Sequence, residues 1–234
     1  MNLDLMMTYG PNVLRGVVVT LELVLISSLM GFVLALPLAL ARNSTILPLR
    51  WLAKAYIVFF RGTPLLGQLF LIYYGAGQAR GFLTDIGLWW FFREAWFCGL
   101  LAFSLNTLAY QAEILRGALD SLPKGQREAA EALGLPRTTT LFRVLLPQAM
   151  IMALRPLGNE LILSLKASAL ASVITIPELM QATKLAFSRS FDMQVYLWAA
   201  VIYLVLVDLI RRLWARFEQR LTRHLHRALP AATK

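Results

Sequence analysis

The chain has 234 residues, of which 58% are hydrophobic and 15% charged, and its mean hydropathy is +0.62. Soluble proteins carry about 25% charged residues, so these figures exclude an ordinary soluble domain. The net charge of +10 admits nucleic acid or anionic lipid as a partner until its placement is considered, while the single Cys98 excludes a disulfide framework or cysteine metal cluster within one chain.

A helix needs roughly 20 apolar residues to cross a hydrocarbon core of about 30 Å. Five segments qualify, at 13–41, 55–77, 95–115, 149–176 and 195–213, which predicts an all-α membrane protein of five transmembrane helices. Residues 1–12 precede the first span, which contains Arg15 and Glu22. It is too long for a signal peptide and lacks a small-residue cleavage site, so a retained span is expected. Within span two, Arg61-Gly62-Thr63-Pro64 carries two helix breakers, and a structural break near the cytoplasmic interface is expected there. Span three places Asn106, Tyr110 and Glu113 on one helical face, a polar stripe running from mid-span towards one end.

The loop at 121–147 is not simply polar. Its Ala- and Glu-rich part, 126–133, predicts a helix. Gly134 is placed to end it in left-handed conformation. Pro136 should then open a second short helix, which should end before Pro147. Ala129, Ala130 and Ala132 would let a partner approach closely, and Glu128 and Glu131 would meet its basic groups. The same helix-turn-helix outline suits DNA binding, but spans on both sides pin it to the bilayer, with little room for a duplex.

Span four carries two polar stripes, Arg155 with Asn159 and Lys166, and Glu160 with Ser164, Ser168 and Ser172. Stripes of hydroxyl and amide residues serve helix packing, and an intramembrane acid such as Glu160 serves an ion pair or a polar pathway. In the pathway reading, Glu22, Tyr110, Glu113, Asn159, Glu160 and Ser164 face a passage whose carboxylates meet a cationic substrate. Beyond span five, residues 214–234 form a tail. Arg212, Arg216, Arg220, Arg223 and Arg227 share one face there, opposite Leu213, Trp214, Phe217, Leu221, Leu225 and Leu229, as in a helix lying on an anionic leaflet.

Basic residues settle the orientation. Fifteen fall after spans one, three and five, against five on the other side: Arg15, Arg80, Arg93, Lys184 and Arg189. The positive-inside rule then puts the N-terminus outside and the C-terminus in the cytoplasm. The net positive charge is thus topology, and no nucleic-acid partner is expected. His224 and His226 lie in the tail, and the chain has no phosphate-binding loop or metal motif. No catalytic residue, metal site or cofactor is therefore expected in the chain.

Glu128-Ala129-Ala130, Gly134 and Val144-Leu145-Leu146-Pro147 stand at fixed offsets in this loop. That arrangement resembles the signature of the permeases of ATP-binding cassette importers. Phe59-Phe60-Arg61-Gly62-Thr63-Pro64-Leu65-Leu66, the stretch from Asn106 to Glu113, Leu146-Pro147-Gln148-Ala149, Gly158-Asn159-Glu160 and Lys166-Ala167-Ser168-Ala169-Leu170 resemble the polar amino-acid branch. Ser168-Ala169-Leu170, where that branch usually has Thr-Ser-Leu, is similar to the histidine, lysine, arginine and opine group, and the matches run from about 20 to 178. The resemblance implies the type I permease fold, with Glu128, Ala129, Ala130, Gly134, Val144, Leu146 and Pro147 in a cytoplasmic coupling helix between spans three and four. It also implies a bacterial inner-membrane location, two cytoplasmic ATPase subunits that bind the ATP and magnesium, a second permease subunit (identical or related) and an extracytoplasmic binding protein. The substrate implied is a basic amino acid or opine, with a glutamine or glutamate type as the alternative. A secondary transporter would need a coupling-ion site and internal repeats, and no repeat is found. A membrane-anchored assembly protein would explain the spans but not the loop.

Overall fold

The computed structural model describes residues 3–228, with side chains described over 7–222. Within these limits the chain is all-helical. A long helix, α1 (Leu3–Arg42), is followed by α2 (Leu47–Gly62), α3 (Leu65–Gln78), two short helices, α4 (Arg80–Asp85) and α5 (Trp89–Phe92), and the central α6 (Ala95–Asp120). The loop then forms α7 (Lys124–Ala132), α8 (Arg137–Thr139) and a π-helical turn, Thr140–Leu145. Then come α9 (Leu146–Ala167), a 3-10 stretch (Ser168–Ile174), α10 (Leu179–Ser190) and α11 (Gln194–Ala228).

Three continuous helical runs are long and apolar enough to cross a membrane: Met7–Arg42, Arg137–Ile174 and Gln194–Thr222. The pair Leu47–Gly62 and Leu65–Gln78 makes up to a fourth, but it bends by 103° at the break. The second predicted span is therefore not one straight helix: Thr63 and Pro64 are both extended, and the chain turns where Gly62 and Pro64 led one to expect a break. α6 is long enough but less apolar. It packs on α1, α2, α3 and α9 at the centre of the bundle, where small and polar residues replace the leucines of a lipid-facing helix.

The core is built from close approaches. Ala35, Ala39, Ala112, Ala149 and Ala153 pack with Leu108, Leu115 and Leu157 between α1, α6 and α9. A methyl on Gly31 of α1 would meet the Thr107 side chain at 2.8 Å. At the other end of α1, Gly16 lets the backbone of Leu179 approach to 2.9 Å from where a Cβ would stand. Leu25, Leu29, Val33, Leu197, Leu204 and Val205 remain exposed on α1 and α11, as lipid-facing positions require.

Two expectations are corrected. The second loop helix does not end before Pro147, because the π turn runs straight into α9 with Pro147 in its first turn. Leu146 donates to the carbonyl of Leu141, a wide turn that gives room to a proline ring unable to fit an ordinary helix interior. The tail is not a separate surface helix either, since α11 is unbroken through Ala228. Its Trp214 packs against the bundle rather than lipid, donating from Nε1 to the Leu154 carbonyl at 2.8 Å. The side chains of Arg223 and Arg227 and residues 229–234 lie outside the described residues.

Candidate functional site

Two places gather the residues that the sequence singled out. The first is the loop surface. Pro123 precedes α7, and the helix closes as the loop pattern predicts, with Gly134 at φ 71°. Gly134 N–H donates to the Glu131 carbonyl at 2.9 Å and Leu135 N–H to the Ala130 carbonyl at 3.0 Å, the paired bonds of a Schellman turn. Glu128 and Ala129 are exposed, and Leu133 beyond them is 78% exposed, an apolar side chain projecting beside charge. Ala130 is buried and offers no face to a partner. It lies where α7 packs on the π turn, which buries Thr140 and Leu145. Gln148 on α9 donates to the Val144 carbonyl at 2.8 Å and to Gln126 Oε1 at 3.3 Å, tying α7 to the start of α9. Pro147 is exposed, with Val144 and Leu146 half-buried.

The second is a cleft of about 420 Å³ between the broken helix pair, α6 and α9. Arg61, Gly62, Thr63 and Pro64 form one wall, Asn106, Thr107 and Tyr110 a second, and Glu160 and Ser164 a third. The break is held by Gln68, which donates from Nε2 to the Phe60 carbonyl at 3.0 Å and to Thr63 Oγ1 at 2.9 Å. Asn106 donates from Nδ2 to Gln68 Oε1 at 3.0 Å and to the Phe60 carbonyl at 3.1 Å, so α6 grips both halves. Tyr56 adds a bond from its hydroxyl to the Leu105 carbonyl at 2.7 Å.

Charge is arranged across this cleft. The Arg61 guanidinium lies 5.2 Å from the Tyr110 ring centre, held by a cation–π contact rather than by an acid. Glu160 is only 8% exposed and makes no ion pair with any described residue, so the ion-pair reading of this acid finds no partner. The Thr107 hydroxyl is buried beside the Glu160 carboxylate, and the Ser164 hydroxyl is buried and hydrogen-bonds nothing among the described residues. Buried hydroxyls without partners are uncommon and costly, and both of these residues line the cleft.

The remaining expected pathway residues lie elsewhere. Glu22 is exposed on α1 and lines none of this cleft. Glu113 is ion-paired to Arg116, which also reaches Asp120 at 2.5 Å. Asn159 is exposed, because its neighbour Glu160 takes the inward direction and one residue turns a helix by about 100°. On the same outward stripe, Arg155 pairs with Glu218 at 2.7 Å. Sequence reasoning missed Gln68 and Thr107. A lone glutamine in an apolar run has no periodic signal, and its partner Asn106 lies 38 positions away. Thr107 gave no sign beyond standing beside Asn106.

Comparison with known proteins agrees with this architecture. The chain is 42% identical to the nopaline transport system permease protein of Agrobacterium fabrum, over 96% of this chain and 94% of that one. It is 38% identical to the arginine ABC transporter permease protein of Haemophilus influenzae, over 91% and 93% respectively. Its fold superposes on a chain of an amino acid ABC transporter crystallised with histidines at TM-score 0.81 and 35% identity, covering 92% of this chain and 96% of that one. The inward-facing methionine ABC transporter shares the fold at TM-score 0.74 and 22% identity, over 90% and 96%. The model of the binding-protein-dependent transport system inner membrane component matches residues 31–223, and the chain belongs to that family.

Proposed function

We propose that the chain is the membrane permease subunit of an ATP-driven importer, carrying a basic amino acid or an opine across the bacterial inner membrane. The observation that carries the substrate class is the cleft, with a buried, unpaired carboxylate facing a guanidinium that no acid neutralises. An amino acid presents complementary charges. Its α-carboxylate suits the fork of Arg61, its cationic group suits Glu160, and its remaining donors suit the hydroxyls of Thr107 and Ser164. The relatives named for nopaline and arginine transport support the same class.

In this reading the chain has five spans, with α6 the third and the bent pair the second, N-terminus outside and C-terminus in the cytoplasm. The exposed face of α7, with Glu128, Ala129 and Leu133, docks one of two ATPase subunits. A second permease subunit completes the pore, and an extracytoplasmic protein delivers the substrate.

Uptake of labelled arginine into cells, with nopaline, histidine and glutamine as competitors, tests the proposal. Glu160→Gln should raise the KM for arginine about ten-fold or more, since removing one member of a desolvated charge pair costs several kcal/mol. The ATPase should still co-purify with this variant. Unchanged uptake kinetics would remove Glu160 from the site, and competition by glutamine alone would move the substrate to the uncharged class.

A further inference from the structure

At the end of the molecule opposite the loop, a cleft of about 400 Å³ opens between the N-terminal half of α1 and the length of α10. It is lined by Tyr9, Asn12 and Arg15 from α1 and by Ala182, Leu185 and Arg189 from α10, among others. The charge on this side is sparse, so its disposition is informative. Five basic residues belong to it, and three are engaged: Arg93 pairs with Glu94 at 3.3 Å, Arg80 stacks 5.3 Å from the Trp89 ring centre, and Lys184 donates to Ser172 Oγ at 2.8 Å. The other two, Arg15 and Arg189, both line this cleft, and neither has an acidic partner among the described residues. The acids flanking α10 are committed elsewhere. Glu178 is fully buried and caps α10 through Met180 and Gln181, while Asp192 accepts from the Gln194 N–H at 2.8 Å.

Both guanidinium groups are exposed, so water screens their repulsion and leaves the pair open to an anionic partner. The depth of the pair is fixed by α1. Arg15 stands 27 residues before Arg42, ~40 Å along the helix at 1.5 Å per residue, whereas the hydrocarbon core is ~30 Å thick. With Arg42 at the inner boundary, the cleft faces water beyond the outer one.

We infer that the Arg15–Arg189 cleft is the anchoring point for acidic side chains on the extracytoplasmic binding protein. The inference rests on the importer reading and its outward-facing N-terminus. The family's own description calls for such a partner. Arg15 and Arg189 offer two forks for planar carboxylates, and the Asn12 amide and Tyr9 hydroxyl add hydrogen-bonding groups at the same rim.

The test uses the assembled importer in phosphatidylcholine nanodiscs, measuring ATP hydrolysis against the concentration of its purified, loaded binding protein. The Arg15→Ala/Arg189→Ala variant should raise the half-maximal concentration about ten-fold and flatten its salt dependence. Arg93→Ala, which removes an engaged arginine on the same side, should leave it in place. If the alanine pair fails to assemble, Arg15→Lys/Arg189→Lys carries the test, with an expected rise of about three-fold from losing the bidentate fork. An unchanged half-maximal concentration overturns the assignment. So does a shift that appears only when the nanodiscs contain anionic phospholipid, which gives the cleft to a lipid headgroup instead. A wild-type complex that its binding protein does not stimulate at all contradicts the importer reading itself, and this inference falls with it.

Discussion

Ser164 is 7% exposed, and its hydroxyl bonds nothing among the described residues while lining a cleft. An unsatisfied buried hydroxyl costs about 1–3 kcal/mol, and replacing it by an apolar group of the same shape removes that cost. Ser164→Ala is such a replacement. The melting temperature of the detergent-solubilised protein should therefore hold or rise, while the KM for uptake rises several-fold because the bound substrate loses a partner. A lower melting temperature with an unchanged KM would make Ser164 a packing residue only. Gly158 gives a contrasting case on the same helix. A methyl there would stand 2.4 Å from the Trp214 ring, which is held by its bond to the Leu154 carbonyl. Gly158→Ala should cost about 1–3 kcal/mol through overpacking and lower the melting temperature by several degrees. An unchanged melting temperature would mean that the ring moves freely.

Between elements, the 103° break of α2 and α3 depends on one knot, Gln68 to Thr63 and Phe60 with Asn106 holding both. Asn106→Leu leaves Gln68 Oε1 and one bond to the Phe60 carbonyl without a donor in an apolar setting. It should destabilise the protein by about 1–3 kcal/mol and abolish high-affinity uptake by freeing the wall that carries Arg61, and intact uptake would show that the break holds without the knot. The break itself was legible in advance, because Gly62 and Pro64 act on their own backbone. Gly134 at φ 71° was legible for the same reason. The knot was not, since it joins residues far apart in sequence whose side chains meet only after α6 packs. The outward direction of Asn159 and the ion pair of Glu113 escaped for a related reason. A helical wheel fixes the angle between residues, but only the neighbours decide which face points inward. The run through Pro147 was misread because a π turn requires one more residue per turn than the spacing of prolines reveals.

At the scale of the whole molecule, the loop and the cleft belong to one rod. α7 packs on the π turn, the π turn continues into α9 without a loop, and Glu160 lies 14 residues beyond Leu146, ~21 Å along that helix. A displacement of α7 is therefore passed to the acid of the cleft through one unbroken helical run, which lacks a backbone donor only at Pro147 and Pro156, rather than through a flexible loop. The π turn sets the phase of that rod. It holds one residue more than an α turn, so its relaxation would turn the loop by about 100° relative to α9. Pro147 keeps it open, because proline has no N–H to donate to the Arg143 carbonyl and its ring clashes there. Pro147→Ala restores that donor and lets an ordinary turn form. The proposed docking face on α7 is untouched, so co-purification of the ATPase should stay within about two-fold of wild type. The phase between α7 and Glu160 changes, however, so substrate moved per ATP hydrolysed should fall several-fold. Uptake and hydrolysis measured together in proteoliposomes give this ratio directly. A normal ratio in Pro147→Ala would mean that the rod tolerates the rotation and that the stroke reaches the cleft by another route, through α6 and its contacts with α9.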